Sequence, residues 1–188
     1  LDLEDTQKDQ YLALMMIQGK RMKSLVEDLL TLANLEANSQ PAPYTMVSMN
    51  AMMSLLKEEA VALSSNQHQI EVVNSSQLSV LGEERELFSA FSNLVSNAIR
   101  YTPSGGVIKI IWQVTNDGDA EFLVQDTGPG IAPEHLPRLT ERFYRVDRSR
   151  SRETGGTGLG LAIVKHVATR HQAKLLIDSH IGAGSEFK

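Results

Sequence analysis

The sequence predicts a mixed α/β domain behind one long helix, and three observations carry that reading. Residues Gln7–Asn38 hold apolar residues at a helical period, with no proline and a single glycine, Gly19. Pro41 and Pro43 then interrupt the pattern, because proline lacks a backbone donor and clashes in a helix interior. Beyond them, short alternating runs and amphipathic runs follow one another to the end of the chain.

In the first segment Tyr11, Met15, Met22, Leu25, Leu29 and Leu32 form one apolar stripe, and Leu12, Val26 and Ala33 form a second beside it. Two stripes imply burial against more than one neighbour, as in a helical bundle; an ordinary amphipathic surface helix is the alternative. About 30 residues at ~1.5 Å each give a rod of roughly 45 Å, longer than one small domain covers, which favours the bundle. After the prolines, Tyr44–Met49 alternates like a strand. Asn50 is placed to cap a helix reaching about Ser65, with Met53, Leu56, Ala60 and Leu63 inward. Gln69–Val73 and Leu78–Leu81 read as short strands. Glu83–Tyr101 reads as a helix burying Leu87, Phe91, Leu94, Val95 and Ala98. Val107–Thr115 and Glu121–Gln125 form a hairpin across Asn116, Asp117 and Gly118. Asp126 to Gly160 shows little regular pattern, and a loop of that length within a domain is usually functional. Leu161–His171 is a helix, Lys174–Asp178 a strand, and Gly182 and Gly184 lead into a last one.

Composition narrows the function. The chain has 188 residues, a length that admits one or two domains. A core of that size needs neither metal nor disulfide for stability. The absence of cysteine excludes a thiolate zinc site, a disulfide scaffold and a cysteine nucleophile. With 23 acidic against 18 basic residues and a net charge of -5, a uniformly basic nucleic-acid surface is excluded too. No apolar run approaches the roughly 18 to 20 residues of a bilayer span, and the opening LDLEDTQKDQ is acidic rather than signal-like. The expectation is a soluble, intracellular-type fragment of a larger protein.

Four constellations could carry chemistry. Asn93, Asn97 and Arg100 lie four and three residues apart and so share a helix face. A carboxamide oxygen suits Mg²⁺ and a guanidinium suits phosphate, although polar residues on a solvent face have the same pattern. Asp126-Thr-Gly128-Pro-Gly130-Ile131 follows a strand. There a carboxylate can accept from an adenine amino group while the glycines admit the base; a plain turn uses the same residues. Gly155-Gly156-Thr157-Gly158-Leu159-Gly160-Leu161 runs into a helix, and free amides at a helix N-terminus form an anion site; a flexible linker is the alternative. Between these lie Arg138, Arg142, Arg145, Arg148, Arg150 and Arg152 against only Glu141, Asp147 and Glu153. That local positive excess suits a polyphosphate, or a solvated charged face. No P-loop, dinucleotide fingerprint or serine/threonine kinase signature occurs. His68, His135, His166, His171 and His180 show no metal-ligand spacing and no nucleophile partner.

Taken in order, Asn93–Tyr101, Asp126–Ile131, Phe143-Tyr144-Arg145 and Gly156–Leu161 resemble the N, G1, F and G2 boxes of the sensor histidine kinases. Gly182-Ala-Gly184-Ser185-Glu-Phe187 resembles the family's closing Gly-x-Gly-Thr/Ser-x-Phe element. RMKSLVEDLLTLANLEA and GIAPEHLPRLTERFYRVDRSRS are similar to the phosphate-regulon branch. The resemblance implies a two-layer α/β sandwich of the Bergerat type, a mixed sheet plus three helices, over residues 41–188. Residues 1–40 would be the second helix of the dimerisation and histidine-phosphotransfer hairpin. It implies ATP and Mg²⁺ as ligands: Asn97 on the metal, Asn93 beside the triphosphate, Arg100 and Arg145 on phosphate, and Tyr101 on base or ribose. Asp126 would accept from the adenine amino group, with Gly128, Gly130 and Ile131 shaping that pocket. Gly156, Thr157, Gly158, Leu159, Gly160 and Leu161 would line the phosphates, and Ser185 belongs to the closing element of the site. About Ala132 to Thr157 would form a mobile lid. Implied partners are a response-regulator receiver domain and a second copy through the hairpin, with a parent protein in the bacterial inner membrane and this region cytoplasmic. The family's phosphoacceptor histidine box is not found, so this chain is expected to bind Mg²⁺-ATP without phosphorylating itself. The last strand is expected to be cut short, leaving a weak sheet edge.

Overall fold

The structure, a computed structural model, describes residues 5–37, 44–146 and 156–188. Asn38, Pro41, Pro43, Asp147, Arg148, Arg150, Arg152, Glu153 and Gly155 lie outside the described residues. In chain order the elements are α1 (Asp5–Ala37), β1 (Thr45–Val47), α2 (Met49–Ser64), β2 (Gln69–Asn74), β3 (Val80–Gly82) and α3 (Glu84–Tyr101). They continue with β4 (Val107–Val114), β5 (Ala120–Asp126), a 3₁₀ turn (Leu136–Arg138), α4 (Gly160–Arg170), β6 (Ile177–His180) and β7 (Gly184–Phe187).

Period-two burial along β4 shows how the layers form: Ile108, Ile110 and Trp112 point into the core while Lys109, Ile111 and Gln113 lie on the other face. The antiparallel register with β5 sets Trp112 opposite Phe122 and Ile110 opposite Val124, so both strands contribute to one apolar face. That face receives Leu56 and Ala60 of α2, Leu94, Val95 and Ala98 of α3, and Ile163 and Val167 of α4. Phe91 of α3 stacks on Phe122 at 4.0 Å between ring centroids. The sheet order is β2-β4-β5-β7-β6, with β2 parallel to β4 and every other pair antiparallel. β1 and β3 form a separate antiparallel pair. The two-layer α/β sandwich, mixed sheet and three helices are therefore present.

Several local expectations change. Ser48, not Asn50, caps α2: its hydroxyl accepts from the Ala51 amide at 3.4 Å. Asn50 instead joins Asn74 and Gln77 in a side-chain amide chain. The inward stripe of α2 steps from Ala60 to Ser64 rather than to Leu63, which is exposed. The buried Ser64 hydroxyl accepts from the His68 amide at 3.0 Å, so the helix end is closed by a hydrogen bond instead of an apolar contact. β6 falls at Ile177–His180, later than expected, because its ladder is set by pairing Ile177 with Phe187 and His180 with Gly184. The closing strand is no sheet edge: β7 pairs with β5 on one side and β6 on the other, and the edges are β2 and β6.

α1 runs 33 residues. Only its C-terminal part packs, with Leu32 and Leu35 buried against the domain near α4, while Tyr11, Leu12, Met15, Met22, Val26 and Leu29 remain exposed. Arg170 of α4 donates to the Leu35 carbonyl at 3.3 Å, and Glu36 pairs with Arg142 and lies 3.5 Å from the His166 ring. No helix among the described residues is long and apolar enough to cross a membrane.

Candidate functional site

The predicted residues converge where the C-terminal end of α3, the end of β5 and the start of α4 meet. Asp126 ends β5 in register with Ser185 of β7. Its carboxylate accepts from the Gly128 amide at 2.8 Å. Burial pushes this carboxyl above the ordinary range, against the pull of backbone hydrogen bonds from Gly128 and Ser185. Gly128 is required by closeness: a Cβ there would stand 2.7 Å from the Asp126 carboxylate and 3.1 Å from the Tyr101 carbonyl. Gly130 has φ +71°, and a Cβ would overlap the His180 carbonyl oxygen. The Ile131 amide donates to the Ser179 hydroxyl at 2.8 Å, and Ile131 packs against the core. The loop after β5 is thus tied to β6 on one side and passes close to the end of α3 on the other.

On α3, Asn93 donates to the Ser89 carbonyl at 2.8 Å. Its free oxygen faces α4 so closely that a Cβ on Gly160 would overlap it. Asn97 is half-buried one turn further on, and Arg100 follows in the last turn. Tyr101 exposes its ring while its carbonyl backs Gly128.

Arg100 and Arg145 meet at the glycine-rich segment. The Arg100 Nη1 lies 3.0 Å and the Arg145 Nη2 3.6 Å from where a Gly156 Cβ would sit, and Arg145 donates to the Gly156 carbonyl. Burial above all holds the Arg100 guanidinium below its ordinary value; Arg145 adds to this, whereas Tyr101 and Asp28 oppose it. Two convergent, partly desolvated cations favour an anion between them. Gly158, at φ +74°, sits against the Phe143 backbone and its carbonyl accepts from the Phe143 amide at 2.8 Å. Thr157 accepts from the Leu159 amide at 3.2 Å, one of the unpaired donors at the start of α4. Leu159 is fully buried and Leu161 packs on the core, so the helix start is anchored by apolar contact.

The arginine run is less uniform than its sequence suggests. Arg138 pairs with Glu141 at 3.1 Å and lies over the Tyr144 ring, and Arg142 pairs with Glu36. Among the described arginines of this run, Arg145 is the one at Gly156.

Two residues enter that the sequence did not single out. Asp28 of α1 accepts from the Thr157 hydroxyl at 2.6 Å and lies beside Arg100; burial raises its carboxyl, while Thr157 and Arg100 pull it down. Ser179 of β6 bonds Ile131, Gly184 and Ser185. Neither has a local sequence signal, since the partners come from distant strands and helices.

Residues 82–188 match the family model described as histidine kinase-, DNA gyrase B- and HSP90-like ATPase. The chain belongs to this ATPase family. Within it the chain is 52% identical over 171 residues to the phosphate regulon sensor protein PhoR of Pseudomonas aeruginosa, covering 90% of this chain and 38% of that protein. It is 41% identical over 170 residues to PhoR of Haemophilus influenzae, covering 90% and 40%. The chain therefore spans about two fifths of these relatives. Among solved structures, the mycobacterial sensor histidine kinase MprB superposes with a TM-score of 0.67 at 29% identity, covering 77% of this chain and 93% of that one. Full-length ShkA in complex with AMPPNP superposes with a TM-score of 0.76 at 29% identity, covering 100% of this chain and 39% of that one.

Proposed function

We propose that this chain is the ATP-binding catalytic part of a two-component sensor histidine kinase, which passes the γ-phosphate of ATP to a histidine and thence to a response-regulator aspartate in phosphate-starvation signalling. The observation that carries the reading is the convergence of the Asp126 pocket and the Arg100–Arg145 pair on either side of the α3 end. Asp126 accepts from the adenine amino group, with Gly128, Gly130 and Ile131 forming the wall. Arg100 and Arg145 receive phosphate oxygens, and Gly156 to Leu161 line the phosphates at the start of α4.

The donor set fits Mg²⁺. Asn97 offers a neutral hard oxygen, and this ion usually keeps several waters and substrate phosphates rather than an all-protein cage. Asn97 would hold the ion, which when bound neutralises phosphate charge. Asn93 has no titratable group, so it orients and cannot serve as a base near neutral pH. An acceptor imidazole is nucleophilic in its neutral form and does not need one, whereas a water does. None of the five histidines stands in an acceptor box, so the acceptor is sought on the partner helix of the hairpin. The exposed apolar residues of α1 support a hairpin dimer, and the similarity to PhoR supports a membrane-bound parent with this region cytoplasmic.

The deciding experiment supplies that partner helix in trans with Mg²⁺-ATP. Acid-labile, base-stable phosphate on the helix is expected. Steady ATP hydrolysis lost in Asn93→Ala, without phosphohistidine, would establish an ATPase clamp instead, and ATP binding with neither product a binding module. Asn97→Ala in the same assay should weaken nucleotide binding chiefly when Mg²⁺ is present.

Asp28 adds a test of the phosphate assignment. Its carboxylate lies against Thr157 and Arg100, so it competes with a bound triphosphate for the same donors. Asp28→Ala should tighten ATP binding by roughly three- to tenfold, the net weight of one ordinary hydrogen bond after solvent exchange. Unchanged or weaker affinity would remove Thr157 and Arg100 from the phosphate site.

A further inference from the structure

The register of the sheet sets three polar side chains in a row on one face. Asp126 of β5 faces Ser185 of β7, and Ser185 faces Ser179 of β6. Ser179 is 6% exposed, so its hydroxyl makes its hydrogen bonds within the protein. It has three neighbours: the Ile131 amide at 2.8 Å, the Gly184 carbonyl at 3.0 Å and the Ser185 hydroxyl at 2.9 Å.

A serine hydroxyl has one proton and two lone pairs. The Ile131 N–H can only donate, so it takes a lone pair. The Gly184 carbonyl can only accept, so it takes the proton. What remains for Ser185 is the second lone pair, and Ser185 must therefore be the donor in the serine–serine contact. Its proton is thereby committed away from the Asp126 side, leaving only lone pairs toward that pocket. The ionised Asp126 carboxylate is also acceptor-only. The row offers two acceptors and no hydroxyl donor.

We propose that Ser179 is a positioning residue that holds the Ser185 hydroxyl as an acceptor and so sets the preference of the pocket for a 6-amino over a 6-oxo purine. The inference rests on the nucleotide reading of the Asp126 pocket and adds to it the residue that controls base choice. A 6-amino group donates to such a pocket. A 6-oxo group meets lone pairs and goes unsatisfied, and a site built for one hydrogen-bonding pattern rejects its inverse. Without Ser179, the Ser185 hydroxyl is free to turn and donate to an oxo group.

The test is equilibrium binding of ATP and of ITP, its 6-oxo counterpart, to the full chain and to Ser179→Ala and Ser179→Thr. The unsubstituted chain should bind ATP more tightly. Ser179→Ala should reduce the ITP-to-ATP ratio of Kd by roughly three- to tenfold, the range of one hydrogen bond reversed in sign. Ser179→Thr, which keeps the hydroxyl, should preserve the ratio. In a Ser185→Ala background the Ser179→Ala change should no longer alter it. A Ser179→Ala chain that loses both nucleotides equally, or keeps the original ratio, overturns the inference, because a purely structural serine would not move discrimination. Should the alanine form fail to fold by circular dichroism, Ser179→Cys, a far weaker donor and acceptor, takes its place with the same expected fall in ratio. If the unsubstituted chain binds neither nucleotide, the ATP reading itself fails, an outcome distinct from binding ATP with an unaltered ratio in the variants.

Discussion

Asp126→Asn is expected to bind ATP about 10- to 100-fold more weakly and yet to unfold at a higher temperature at neutral pH. The affinity loss follows from exchanging a charged acceptor for a neutral amide, since hydrogen bonds to charged groups contribute about 1.5–3 kcal/mol. The gain in stability follows from the position of the carboxyl. Burial raises it above its ordinary value of 3.8, and the Gly128 and Ser185 amides offset only part of that. A carboxyl whose folded value lies above its unfolded one favours the fold fully only below the unfolded value. That contribution is lost as pH rises through the folded value. Where it is ionised, the group is therefore a liability to the fold. The asparagine oxygen can still accept from Gly128, so the loop remains anchored. Thermal melts of both forms should differ most at neutral pH and converge as the wild-type carboxyl protonates in acid. Equal ATP affinity, or a variant less stable at every pH, would remove Asp126 from the role proposed for it.

Gly184→Ala should destabilise the chain by at least about 2–4 kcal/mol, through left-handed backbone strain added to a steric clash. Gly184 has φ +97°, and a Cβ there would overlap the Asp126 carbonyl oxygen and stand 2.9 Å from its carbon. The neighbour is backbone within the β5–β7 ladder, so it cannot rotate away as a side chain could. Relief would require parting the strands at the pairing that sets Asp126 beside Ser185. Gly182 provides the comparison. It has φ +81° but nothing within 4 Å of its would-be Cβ, so Gly182→Ala should cost only the conformational part, about 1–2 kcal/mol. Urea denaturation of the two variants separates strain from clash. Equal midpoints would mean that the strands part without cost.

Much of the fold was legible because periodicity is local. The long helix, the α3 stripe of Leu87, Leu94, Val95 and Ala98, and the hairpin around Gly118 all follow from spacing within one element. Errors fell where a neighbour decides. Asn50 is as good a capping type as Ser48, and only the turn into the helix chooses between them. Leu63 completes an apolar stripe on paper, yet the buried position belongs to Ser64, whose hydroxyl closes the helix end with His68. The last strand, expected to be cut short and to leave a weak sheet edge, lies between two others, and a strand's partners cannot be read from its own residues.

By itself, the sequence determined which residues were available for a nucleotide-type site and which local conformation each required. Asn93, Asn97 and Arg100 share a helix face by spacing, and the glycines mark close approach. Tertiary structure alone decided what those residues meet. Asp28 and Thr157 are 129 positions apart and touch because the C-terminal part of α1 packs against the domain near α4. Asp126, Ser185 and Ser179 form a row because β7 inserts between β5 and β6. The physical reason is common to both. Helical and strand periods are set by backbone geometry within a few residues, whereas register and docking are set by the sum of many distant contacts, and no single segment encodes them.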